Sequence, residues 1–260
     1  MVYQPFQLAF WLLLAMEVVV IVLFTRILSV LPMQKRRFAL GCLSMLAITL
    51  FVLSKIWHSQ DPVFMAYYFP DGHFNILKEL PLHLCSIGIF VLPIAILTNS
   101  RLLLGCCCVF GVAGSLAVQC SPVEVFLNRS LLLPSCIGFY GYHFMAFVNG
   151  FLVFTLGLYQ PKLRDAPAFT LMLLAFSQVV HLINFALRQT GLAPDANYFF
   201  TYGTEGAPWL DFFYNLLPVR SLYLLLVSPL ALVLSAAVIL FMLLLQKITA
   251  RRTQGIGKSI

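Results

Sequence analysis

Residues 7–31 read QLAFWLLLAMEVVVIVLFTRILSVL, an apolar run broken only by Glu17 and Arg26. A helix needs about 20 apolar residues to cross the hydrocarbon of a bilayer, so this stretch predicts a membrane span. It does not read as a cleaved signal peptide. The apolar stretch is too long, no positive charge precedes it, and its basic cluster, Lys35 to Arg37, follows it. Six further runs repeat the pattern: 38–56, 81–98, 102–119, 137–159, 168–187 and 221–245. The whole chain agrees, with 260 residues, 61% of them apolar and 10% charged. Soluble domains are nearer half apolar and a quarter charged. The expectation is an all-α polytopic membrane protein, a single domain over 1–260 with seven transmembrane helices. Secreted disulfide scaffolds, coiled coils and ordinary soluble enzymes are excluded.

Seven crossings put the termini on opposite sides. One side carries Arg26, Lys35, Arg36, Arg37, Arg101, Lys162, Arg164, Lys247, Arg251, Arg252 and Lys258. The other carries only Lys55, Lys78, Arg129, Arg188 and Arg220. Cytoplasmic loops accumulate Lys and Arg, so the N-terminus is expected outside and the C-terminus in the cytoplasm. Seven of the nine acidic residues fall on the outer side, which agrees. The net charge of +7 punctuates apolar runs and is not gathered on one face, so nucleic acid is not an expected partner. Membrane lipids are. The sequence gives no reading of oligomeric state.

The outer loops, 57–80, 121–136 and 188–220, are long and rich in aromatic residues. Irregular backbone near a bilayer must be buried in protein or line a wet cavity, so function is expected there. All five histidines, at 58, 73, 83, 143 and 181, fall in that half. An ionisable group at membrane depth is costly and is a functional candidate by default, although a lone histidine also serves as hydrogen-bonding glue between helices. His143 is expected about 9 Å into the fifth span, and His181 about 10 Å below the outer end of the sixth. Glu17, about 15 Å deep in the first span, is expected neutral or paired with a neighbouring helix. His181 and Asn184 share a helix face, as do Asp211 and Asn215. Glu79 and His83 do so if the third helix starts early, with Pro81 in its first turn. His83 and Cys85 diverge by about 200° in a regular helix. Cys85 is therefore served only by a histidine from another helix, such as His143 or His181.

Cysteine occurs seven times, without a CxxC pair. Cys106, Cys107 and Cys108 are consecutive in an apolar run. They point in three directions and read as small hydrophobes, not as a metal cluster. Cys120 and Cys136 flank one loop and are the pair open to a disulfide if that loop lies outside the cell.

The segment Glu79–Leu80–Pro81–Leu82–His83–Leu84–Cys85 resembles the Leu-Pro-Leu-His-Leu-Cys pattern of YwaF-like bacterial integral membrane proteins. Gly111–Val112–Ala113–Gly114–Ser115–Leu116, Ser121–Pro122, Asn184, Asn197–Tyr198 and Leu210–Asp211 are similar to further segments of that family, in order. The resemblance covers about residues 35–245. It implies a bacterial plasma-membrane protein, related to a eukaryotic multispanning acyltransferase that remodels ether phospholipids through a cysteine acyl-enzyme and a histidine. It places His83 and His181 on that relative's histidines.

Three chemistries follow. The first is a lipid acyltransferase or hydrolase, with His83 and His181 as acid–base groups and Cys85 as nucleophile. In this reading His143, Asn184, Asn197, Tyr198 and Asp211 line the substrate site, Asn184 and Asn197 donate to the oxyanion, and no cofactor is required. The second is a metal hydrolase with His83, His143 and His181 as ligands, against which no HxxxH or HExxH spacing occurs. The third is a non-catalytic transporter or partner subunit, against which no internal repeat occurs. The enzyme reading is preferred. It requires the imidazoles of the third, fifth and sixth spans to gather around one recess.

Overall fold

The computed structural model describes residues 1–205 and 207–256, without the side chains of residues 208 and 250–256. Lys258 and the side chains of Arg251 and Arg252, counted in the basic tail, lie outside the described residues. The chain forms nine α-helices there: α1 (Leu8–Ser29), α2 (Met33–Ser59), α3 (Pro62–Tyr68), α4 (Leu84–Thr98), α5 (Arg101–Cys120), α6 (Pro134–Thr155), α7 (Ala166–Gln189), α8 (Pro208–Leu216) and α9 (Leu224–Ile256). Among the described residues no β-sheet forms, and one isolated bridge joins Val2 to Ser130. Six of the helical segments are long and apolar enough to cross a membrane; the shorter apolar α4 is the seventh. The two remaining helices, α3 and α8, lie in the long loops at one end of the bundle.

Helices α2, α4, α5 and α6 form an inner bundle, α1 lies against α6, and α7 pairs with α9 on the far side. Small residues permit the closest approaches, since bare backbone lets helices approach within a bilayer. A Cβ placed on Gly111 of α5 would lie 3.1 Å from the Ala146 carbonyl oxygen of α6. One placed on Gly150 of α6 would lie 3.2 Å from the carbonyl oxygen of Cys108. The cysteine run packs as expected. Cys107 Sγ donates to Gly88 O and Cys108 Sγ to Met242 Sδ, both at 3.7 Å. All seven cysteines are free, Cys120 and Cys136 included.

Two departures from the expected spans bear on function. Helix α4 begins at Leu84, not at Pro81. Residues 76–78 make a 3-10 turn, and His83 is the N-cap residue with extended backbone (φ −86°, ψ 154°). At 1.5 Å per residue, 15 residues give α4 only about 22 Å. The chain ahead of it descends into the bundle in irregular form, as the steric demands of Pro81 on Leu80 favour. The second departure is at α2, which starts at Met33 and carries the Lys35–Arg37 cluster on its first turns. There Arg36 donates to the carbonyls of Leu31 and Leu156, closing the end of the bundle opposite the long loops.

Glu17 is fully buried, and its Oε1 accepts a hydrogen bond from Gln119 Nε2 of α5 at 2.5 Å. Of the two states expected for this carboxyl, neutral or paired with a neighbouring helix, the structure shows a hydrogen-bond partner, Gln119 of α5. Tyr3 fixes the same corner by donating to Gln119 O at 2.7 Å.

Candidate active site

The late start of α4 places Cys85 at the second position of a helix, in its first turn. Ser86 and Ile87 both donate their amides to His83 O, at 3.0 and 2.9 Å. The amides of Leu84 and Cys85 make no backbone hydrogen bond outside this pattern. These are the donors that a helix start leaves unpaired. Cys85 also packs against α5, where a Cβ on Gly114 would sit 3.6 Å from the cysteine backbone and Cβ. The Gly111-to-Leu116 motif thus provides the smooth wall on which this helix start rests.

His143 of α6 faces the thiol. Its Nε2 lies 3.2 Å from Cys85 Sγ, and its Nδ1 lies 2.8 Å from Phe139 O. A carbonyl only accepts, so Nδ1 carries the proton and Nε2 presents a lone pair to sulfur. The ring is held by neighbouring aromatics, with Tyr142 at 4.1 Å and Phe139 at 4.7 Å between centroids. Both partners are buried, Cys85 at 9% exposure and His143 at 1%. His143 lies nine residues into α6, about 14 Å below that helix's start. Beneath the pair, Gly88, Cys107, Gly111, Ala146 and Asn149 line a narrow cavity of about 10 Å³.

The other expected site residues surround this pair or stand apart from it. His83 does not share a face with Glu79. It meets the rings of Tyr198 and Phe200 at 5.5 and 6.0 Å. Glu79 turns to α2 instead, with Oε2 2.6 Å from Lys55 Nζ and 3.7 Å from His58 Nδ1. Burial opposes its charge, but His58 and Lys55 outweigh that and hold the carboxyl below its ordinary range. Lys55 Nζ in turn lies 4.4 Å from the Phe51 ring centroid and 5.9 Å from that of Tyr142, the ring packed on His143.

His181 stands outside the pair. Its ring stacks on Tyr202 at 4.9 Å. His83, His143 and His181 therefore do not converge, and among the described residues no group of three His, Cys, Asp or Glu side chains is placed to hold a metal. The shared recess lined by three imidazoles is replaced by one Cys–His contact. The burial of His143 against aromatic rings gave no sequence signal that would rank it above the other histidines.

Asn184 and Asn197 are fully engaged. Asn184 Nδ2 donates to Tyr198 O and Thr201 Oγ1, and its Oδ1 accepts from the Tyr198 amide. Asn197 Nδ2 donates to Gly203 O and Glu205 Oε1. Neither has an N–H free for an oxyanion. Tyr198 is a strut, with its hydroxyl donating to Leu77 O at 2.6 Å and accepting from the Leu80 amide at 2.9 Å. Asp211 accepts from the Thr204 hydroxyl. The expected polar set thus holds Tyr198 in place, and Tyr198 clamps the stretch of chain leading to Cys85.

A family model described as the TMEM164 family matches residues 3–246. The chain belongs to the TMEM164 family. This is an integral membrane protein, as its apolar helices require. Comparison with curated proteins and with solved structures gives no match.

Proposed function

We propose that this TMEM164-family protein is a lipid acyltransferase that works through a thioester on Cys85, with His143 as its base. The observation that carries the reading is the 3.2 Å contact between His143 Nε2 and Cys85 Sγ, with the opposite ring nitrogen fixed by Phe139 O. A cysteine and histidine in hydrogen-bond reach, with the histidine oriented by a third group, is the general form of an activated nucleophile. Here a backbone carbonyl takes the place that an aspartate fills in other triads.

The step runs as follows. His143 Nε2 takes the thiol proton, and Cys85 Sγ attacks the carbonyl carbon of a lipid ester. The oxyanion forms next to the first-turn amides of α4, among which Leu84 and Cys85 make no backbone–backbone hydrogen bond in the described residues. Collapse breaks the ester C–O bond, His143 returns the proton to the departing alkoxide, and the acyl group remains on Cys85 as a thioester. A lysolipid hydroxyl, deprotonated by His143, then attacks the thioester carbonyl; collapse breaks the C–S bond, the new ester leaves, and His143 returns the proton to the Cys85 thiolate. The burial of both groups about 14 Å down α6 favours a lipid acceptor over water. The asymmetry of basic residues supports a loop-rich end on the outer face of the membrane.

The test uses purified protein in nanodiscs made with a phospholipid bearing an alkyne-tagged acyl chain. The expected result is a hydroxylamine-labile tag on wild type, absent in Cys85→Ala and reduced by about a hundredfold or more in His143→Gln. His181→Gln retains the tag. Equal tagging of wild type and Cys85→Ala overturns the proposal. Release of free fatty acid without acylation of added lysolipid replaces transfer by hydrolysis.

A further inference from the structure

A cluster of cations stands at the loop-rich end of α7 and α9. Arg188 is in the last turn of α7, and Arg220 directly precedes the 3-10 turn Ser221–Tyr223 that leads into α9. Both guanidinium carbons lie over the ring of Tyr202, at 4.6 and 4.7 Å from its centroid. The His181 ring stacks on the same tyrosine, and its Nδ1 is buried without a hydrogen-bond partner.

Nothing in the described protein neutralises these charges. Arg188 spends one N–H on Ala196 O at 2.8 Å, and Arg220 makes no hydrogen bond or ion pair there. The nearby carboxylates are turned elsewhere: Glu205 accepts from Asn197, Asp211 from Thr204, and Asp195 pairs with Lys78. Two guanidiniums over one ring are at most about 9 Å apart, inside a Debye length at moderate salt. Their mutual repulsion is relieved by an anion, and the planar forks of Arg suit a phosphate in particular.

The surroundings favour a lipid. Leu182 and Phe185 of α7, Leu222 of the 3-10 turn and Leu225 of α9 are exposed apolar side chains on the segments that carry Arg188 and Arg220. Arg at a span's end belongs at headgroup depth, with apolar neighbours against the acyl chains. Tyr202 is also tied to the site, because its amide donates to Asn197 Oδ1 in the segment whose Tyr198 packs on His83.

We infer that Arg188, Arg220 and His181, gathered on Tyr202, bind a phosphate group, and that its source is the headgroup of a phospholipid. The inference goes beyond the acyl-transfer reading by assigning a headgroup site to the loop-rich ends of α7 and α9. The phosphate site itself is measured by binding alone, so its failure and the failure of thioester chemistry are separable.

The experiment measures one-to-one binding of dioctanoylphosphatidylglycerol to detergent-purified protein by native mass spectrometry, with dioctanoylglycerol as the phosphate-free comparison. Wild type and Cys85→Ala are expected to bind the phospholipid alike. Arg188→Gln/Arg220→Gln in the Cys85→Ala background is expected to lose about tenfold or more in affinity, with dioctanoylglycerol binding unchanged. Arg220→Gln alone, which breaks no hydrogen bond of the fold, is expected to show part of that loss. Inorganic phosphate that fails to displace the phospholipid at millimolar concentration supports the headgroup as source. Displacement retains the phosphate site and assigns it to free phosphate instead. Equal binding by wild type and the arginine variants, or phospholipid bound no better than dioctanoylglycerol, overturns the inference.

Discussion

Tyr198→Phe removes a single oxygen and tests how the nucleophile is positioned. The hydroxyl donates to Leu77 O at 2.6 Å and accepts from the Leu80 amide at 2.9 Å, and the residue is 3% exposed. A buried hydrogen bond contributes about 1 kcal/mol net, and more when its loss strands a partner. Two such bonds, with a carbonyl and an amide left unpaired, give an expected loss of about 2–3 kcal/mol. In a chain of this size that lowers the melting temperature by roughly 4–10 °C. The assay is thermal unfolding in detergent, read by the exposure of buried cysteines to a thiol-reactive dye. Tyr202→Phe is the matched control, because the Tyr202 hydroxyl makes no hydrogen bond among the described residues; it should stay within about a degree of wild type. The acyl-tagging of Cys85 should slow as well, since Leu80 lies five residues before the thiol on the clamped segment. A Tyr198→Phe protein that melts with the wild type refutes the strut and the idea that Tyr198 holds the approach to Cys85.

Three further outcomes are expected. A Cβ on Gly138 would lie 2.6 Å from Ser54 Cβ and 2.8 Å from its Cα, so Gly138→Ala should force α2 from α6 and cost about 1–3 kcal/mol; Gly114→Ala, with nothing closer than 3.6 Å, should melt near wild type. Acid should destabilise the loop-rich end through Asp61. Burial opposes the charge of this carboxylate, but hydrogen bonds from Ser135 and Arg129 outweigh that and lower its pKa from 3.8. A lowered folded pKa means the stabilisation is complete above the unfolded pKa and is lost as pH falls through the folded one. The melting temperature should therefore hold from pH 7 to about 5 and drop below about 4, with a shallower drop in Asp61→Asn. Gln119→Leu leaves the buried Glu17 carboxyl without its donor, and a loss of about 1–3 kcal/mol in the same melting assay is expected.

The spans were legible because the bilayer imposes a length and a composition that Leu, Val, Phe and Ile satisfy openly, as residues 7–31 do. Helix ends were less legible. Pro81 suggested a first turn, yet the chain stays extended through His83, and Tyr198 holds that irregular stretch through hydrogen bonds from more than a hundred residues away. No local pattern records such a bond. The same long-range control decided the site. The 200° argument assumed a regular helix through His83, whereas His83 is extended and α4 starts after it; the histidine in contact with the thiol does lie on another helix. The choice between His143 and His181 then rested on helix packing, which is set by glycine contacts such as Gly114 against Cys85 and Gly138 against Ser54. The resemblance placed its histidines at 83 and 181, whereas the thiol meets His143. Asn184 and Asn197 carried real signal, but for folding a loop.

The shortness of α4 links these observations. A span of full length would carry its N-terminus to the level of the α6 start and expose a first-turn cysteine to the interface. With only 15 residues, α4 begins lower, and Cys85 meets a histidine nine residues into α6. Irregular backbone at that depth requires partners for its amides and carbonyls, because lipid offers none. Tyr198 supplies them for Leu77 and Leu80, and Asn184 anchors Tyr198 in turn. Among the described residues the amides of His83, Leu84 and Cys85 make no backbone–backbone hydrogen bond, and that of Cys85 is directed to its own thiol. The same geometry that lowers a thiol into the bundle therefore places helix-start amides next to it, where a negative charge on a lipid carbonyl would develop.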